Sequence, residues 1–182
     1  MTFSTGSTRS SGYKILATDW NERVNNENFL GGTDRVVIAS STITTTLSDG
    51  VWSSAITFAS DVEDAAGFHS TVSNTSRLTV PTGYDGVYAI TANVYLVNSA
   101  AGQFHLMLRK NAAGSSSGGT FLAQASGSVS TNGAILTGGL ITATVRLAAT
   151  DYVEVFACQV GGGVALAGTT QAHRFGMTWI SL

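Results

Sequence analysis

Few residues in this sequence have the types and spacing that chemistry needs. Gly114-Ser115-Ser116-Ser117-Gly118 spells G-x-S-x-G. That pattern raises a serine nucleophile only where a strand turns sharply into a helix. Here it lies within Asn111–Gly119 (NAAGSSSGG), a run of small residues between two β-type segments that reads as a flexible loop. His69, His105 and His173 stand 36 and 68 residues apart, with no H-x-H, H-E-x-x-H or Cys/His pairing, so a zinc site has no support. Asp61, Glu63 and Asp64 form the densest acidic cluster. Carboxylate oxygens suit Ca²⁺, but the D-x-D-x-D-G loop is absent, and plain solvated carboxylates are the competing reading. Cys158, the lone cysteine, sits in the apolar run Val155–Cys158 and reads as a small buried hydrophobe. Asn74-Thr75-Ser76 is a formal glycosylation sequon. The expectation is a non-enzymatic protein with no catalytic, cofactor-binding or metal-binding residues.

The elements that would position any site are strands. Ser, Thr, Ala and Gly number 21, 24, 22 and 21 of 182 residues, and charged residues are 11%. A hydrophobic content of 43% with a net charge of −2 is enough to build a core, so disorder is not expected. Nine scattered basic residues balanced by eleven acids argue against nucleic acid as a partner. No apolar run approaches the length of a membrane span, so no membrane partner is expected. The opening residues lack a continuous apolar stretch, so no secretory leader is expected either.

From Asp34 onward, β-type segments follow one another at Arg35–Thr46, Trp52–Ser60, Ser76–Val80, Gly86–Asn98, Phe104–Arg109, Thr120–Ser126, Ala134–Leu147, Tyr152–Val160 and His173–Ser181. Pro81-Thr82-Gly83 marks a turn. In Gly86–Asn98, Tyr88, Ile90, Ala92, Val94 and Leu96 share one face. Val87, Ala89, Thr91, Asn93, Tyr95 and Val97 share the other, so apolar surface points both ways. Strands without intervening helices predict an all-β sandwich or barrel over residues 34–182. Residues 1–33 differ. A Ser/Thr/Gly-rich extended arm leads into one short helix, capped by Asp19 with Glu22 three residues on. Trp20 and Val24 lie on one face of that helix, and Gly31-Gly32 ends it.

The order of motifs resembles a known family. Asp64-Ala65-Ala66-Gly67-Phe68-His69, Ser76-Arg77-Leu78-Thr79-Val80-Pro81, Gly86-Val87-Tyr88 and Leu147-Ala148-Ala149-Thr150-Asp151-Tyr152-Val153-Glu154-Val155 look like the C1q/TNF-like double-sheet jelly roll. Phe175–Ile180 resembles its closing strand. Thr150 departs from the pattern, where glycine is usual, and Phe175-Gly176 lacks a spacer. The D-x-x-G-F-H…N-x-S-R-L-T-V-P version, with Leu16-Ala17-Thr18-Asp19-Trp20-Asn21-Glu22-Arg23-Val24, resembles the form found in bacteriophage structural proteins.

The resemblance implies a homotrimer in which Tyr88, Val153 and Val155 face the neighbouring copies. Their alternative place is the core of a single chain. It further implies a capsid decoration, cement or head-fibre protein on the virion surface. Trp20, Val24 and Phe29 would anchor it to other virion proteins such as the major capsid protein. A competing reading is a tail-fibre or tail-tip knob that binds a host glycan, with Asn111–Gly119 and Gly161–Gly163 forming a ligand rim.

Overall fold

The computed structural model describes residues 35–42, 45–98, 102–129, 136–161, 164–166 and 172–181. The expected arm and helix, with Asp19, Trp20, Val24 and Phe29, lie outside the described residues. Eleven strands are described: β1 (Val36–Ser41), β2 (Thr45–Leu47), β3 (Ser60–Asp64), β4 (Arg77–Thr79), β5 (Gly86–Asn98) and β6 (Gly102–Lys110). They continue with β7 (Thr120–Val129), β8 (Leu136–Leu147), β9 (Tyr152–Val160), β10 (Val164–Leu166) and β11 (His173–Ser181).

The strands form two antiparallel sheets. In the larger one, β5 pairs with β8 along one side. On its other side β5 pairs with β11 and then β10. β1 follows β11, and β3 follows β1 as an edge. The smaller sheet runs β4-β9-β6-β7. Alternation explains the burial of β5: Tyr88, Ile90, Ala92, Val94 and Leu96 are at most 1% exposed and point between the sheets. Phe58, Phe68, Leu78, Leu106, Leu108, Phe175 and Trp179 meet them there. Strand β9 is buried at every position from Val153 to Gln159, as a strand covered on both faces must be. On its outward side Phe156 joins Ala55, Met107 and Ala112 under Trp52.

Arg35–Thr46, expected as one segment, divides into β1, which pairs with β11 and β3, and the start of β2, which pairs with β10. Two further readings differ. Trp52–Ser60 is not a ladder strand. It runs extended beside β9, with Ser53 N–H donating to the Ala157 carbonyl and Ile56 N–H to that of Val155. It then crosses to the other sheet, where Ala59 N–H donates to the Ser40 carbonyl. Conversely, Ser60–Asp64 is strand β3. Its acidic residues have poor strand propensity, but charge on an edge strand discourages pairing with another chain.

Thr150 has φ +70°, the left-handed region that a β-branched residue rarely adopts. It is held there by its N–H donating to the Val80 carbonyl at 2.8 Å and by the Ala148–Asp151 turn. This accounts for the glycine usual at this place. Thr150→Gly is expected to raise stability by about 0.5 kcal/mol, since strain relief of about 1–2 kcal/mol exceeds the backbone entropy that glycine loses. A lower midpoint in urea for T150G would contradict this.

Candidate functional site

The structure places Tyr88, Val153 and Val155 at 0% exposure within one chain. Tyr88 stacks with Trp179 at 6.5 Å and meets the edge of Phe68 at 6.1 Å, and its hydroxyl donates to the Tyr84 carbonyl. Burial, with Asp85 and Tyr84 nearby, pushes the Tyr88 phenol well above the usual tyrosine range. These three residues therefore pack the core and present no side-chain surface to another copy. The physical reason is the two-residue period of a strand: the face carrying Tyr88 is the one that closes on the second sheet.

The surface open to a partner is the opposite face of β5 and its sheet. Ala89, Thr91 and Asn93 on β5, Arg174, Gly176 and Thr178 on β11, Val36 and Ile38 on β1, and Val62 on β3 line a groove of about 430 Å³. Leu140 and Ile180 on the same sheet are 60% and 48% exposed. Asn93 Oδ1 is buried in this groove without a hydrogen-bond partner. The signal was present in the sequence, as the Val87/Ala89/Thr91 side of the strand.

Of the two loops expected to share a rim, Asn111–Gly119 and Gly161 lie at opposite ends of the smaller sheet, while Gly162 and Gly163 lie outside the described residues. Asn111 follows Lys110, which pairs with Val153, whereas Gly161 follows Val160, which pairs with Gln103. About 27 Å of strand β6 separates them. Nor is Asn111–Gly119 a loose loop. Asn111 Nδ2 donates to Asp151 Oδ1, Ala113 N–H to the Tyr152 hydroxyl, Gly114 N–H to Glu154 Oε2 and Arg109 Nε to the Gly118 carbonyl. Ser116 sits among tight turns between β6 and β7, without the strand-to-helix turn of a nucleophile elbow.

The Asp151 end of this loop is an electrostatic clasp, with Lys110 Nζ 2.6 Å from Asp151 Oδ2. Burial pushes the Asp151 carboxyl up, but hydrogen bonds from Lys110, Asn111 and Ala148 outweigh it and hold the group below the usual carboxylate range. A depressed folded-state value means stability present above the unfolded aspartate value and lost as pH falls through the folded one. Asp151→Asn is therefore expected to flatten the fall of melting temperature below about pH 4. Parallel acid profiles for wild type and D151N would contradict the clasp.

The acidic cluster is dispersed. Asp64 accepts Phe68 N–H and His69 N–H, both at 2.8 Å. Asp61 Oδ1 lies 2.5 Å from His69 Nδ1, while His69 Nε2 lies 3.1 Å from the Thr75 carbonyl. These carboxylates brace the loop after β3, and no metal-holding cluster occurs among the described residues. His105 Nδ1 meets Ser126 Oγ, and His173 Nδ1 accepts Tyr95 N–H. Cys158 is buried, and burial together with Asp49 pushes its thiol up, away from reactivity.

Sequence reasoning missed two residues. Glu154 is wholly buried in β9, with Ser76 Oγ donating to Oε1 and Gly114 N–H to Oε2. Arg77 lies with its guanidinium carbon 4.0 Å above the Tyr152 ring centre. A single charge inside Tyr-Val-Glu-Val-Phe was the available signal for Glu154, because a buried carboxylate demands donors.

No family model and no curated protein matches the chain. Solved structures do match its fold. The globular domain of a zebrafish complement 1qA protein aligns with TM-score 0.51 at 13% identity, covering 80% of this chain and 97% of that one. The Eiger TNF of S. frugiperda aligns with TM-score 0.56 at 15% identity, covering 81% and 94%. Murine APRIL aligns with TM-score 0.51 at 12% identity, covering 75% and 98%. The fold is that of the C1q and TNF jelly rolls.

Proposed function

We propose that the chain is a non-enzymatic structural protein of a phage particle, a homotrimer on the virion surface of decoration, cement or head-fibre type. The observation that carries self-association is the grooved face of the β5 sheet, where apolar and small side chains, with Arg174 across from it, surround the unpartnered Asn93 Oδ1. A face of this kind needs a cover, and closed rotational symmetry is the usual way a chain covers itself. The jelly-roll fold supports the same reading, since the resemblance implies three domains about an axis. The virion role rests on the likeness of Leu16–Val24 and of Asp64–Pro81 to phage structural proteins. In this reading Trp20, Val24 and Phe29 attach the trimer to other virion proteins such as the major capsid protein. Against the glycan-knob reading, Asn111 and Gly161, the first residues of its two rim loops, lie at opposite ends of β6.

The test is location. Mass spectrometry of purified particles from the source culture is expected to find the chain in many copies. A version lacking residues 1–30 is expected to fold and self-associate but stay off the particle. Normal incorporation of the truncated chain would contradict anchoring by the arm, and absence of the full chain from particles would contradict the virion role.

A further inference from the structure

We propose that the cleft between the Gly67–Asn74 loop and strand β4 binds a small oxyanion, with Arg77 as its principal ligand. The cleft holds about 140 Å³ and is lined by polar groups, including Ser70, Ser73, Asn74 and Thr79. Of its eight lining residues, Arg77 alone carries a permanent charge. Arg77 Nε is buried and has no hydrogen-bond partner. Glu154 Oε1, 3.8 Å from that nitrogen, is its ion-pair partner but lies beyond hydrogen-bond reach. Both Glu154 oxygens already accept bonds from Ser76 and Gly114. The guanidinium thus sits over the Tyr152 ring, with donors to spare beside a polar cleft.

A planar fork of N–H donors matches the two oxygens of a carboxylate or phosphate. Ser70 Oγ and Ser73 Oγ, 3.3 Å apart, share one hydrogen bond, which leaves one hydroxyl proton beside it as a further donor. The wall is set before any ligand arrives. Asp64 fixes the Phe68 and His69 amides, the His69 ring is braced between Asp61 and the Thr75 carbonyl, and Ser70 Oγ accepts the amides of Val72 and Ser73. A preorganised site loses less entropy on binding. Arg77 is the one permanent charge in the lining, so the ligand enters by its charged end: the carboxylate of an acidic sugar, or a phosphate.

The experiment is a titration of the ¹⁵N-labelled full chain with sodium phosphate, sodium glucuronate and glucose at constant ionic strength, read by NMR. Saturable shifts of the Ser70, Ser73 and Asn74 amides and of Arg77 Nε are expected with phosphate, glucuronate or both, and none with glucose. Response to one anion alone identifies the source of the oxyanion. Arg77→Lys keeps the charge but not the fork, and is expected to weaken binding at least about tenfold. Ser73→Ala, which leaves the Glu154 network intact, is expected to weaken binding severalfold and decides the matter if R77K does not fold. No saturable shift with either anion, equal shifts with glucose, or unchanged affinity in the folded variants would overturn the proposal.

Discussion

Gly86→Ala is expected to cost about 3 kcal/mol or more, enough to unfold much of the protein at ordinary temperature. A methyl group built on Gly86 overlaps the Trp179 indole nitrogen and the Ser181 carbonyl. Those two atoms form a 2.8 Å hydrogen bond directly across the glycine. Trp179 is 1% exposed and its ring meets both Tyr84 and Tyr88, so it has no free space to enter. Ser181 cannot yield either, because its carbonyl is backbone, next to the irregular step where β11 leaves its register with β5. The substitution therefore breaks the indole bond, strains the sheet end, or both. Urea unfolding of G86A measures the effect, and a wild-type midpoint would show that Trp179 is not anchored across this residue.

Thr91→Lys is expected to leave the fold intact and abolish self-association. Thr91 is exposed in the single chain, between Gly176 on one side and Thr142 on the other, near the middle of the grooved face. Its side chain points away from the core, so the change costs the isolated chain little. In an assembly that covers this face, each copy would bury an unpaired ammonium, at several kcal/mol per charge. The dissociation constant is then expected to rise at least a thousandfold, about 4 kcal/mol. Ser126→Lys, on the exposed side of the smaller sheet, is the control and is expected to leave the assembly unchanged. Equal loss of association in both variants, or in neither, would contradict the assignment of this face.

Most of the sandwich is legible in the residue pattern because a strand repeats every two residues. The limits of β5 and β9 follow from unbroken alternation or unbroken apolarity, and both agree with the structure. Strand β3 was hidden because acidic residues on an edge strand look like loop residues. Trp52–Ser60 has a strand's composition, but it changes sheets midway, and composition does not record pairing. The same limit explains Tyr88. Periodicity separates the two faces of β5, but which one meets the second sheet depends on contacts with Phe68 and Trp179, each distant in sequence. The cleft at Arg77 was invisible for a similar reason: its ion pair and its ring contact are made with Glu154 and Tyr152, more than 70 residues away.

Self-association through the grooved face is the central claim, and the mass of the purified full chain in solution tests it most directly. Sedimentation equilibrium is expected to give three times the chain mass of 18.8 kDa for wild type and the single-chain mass for Thr91→Lys. A wild-type protein that sediments as a single chain at every concentration would contradict it.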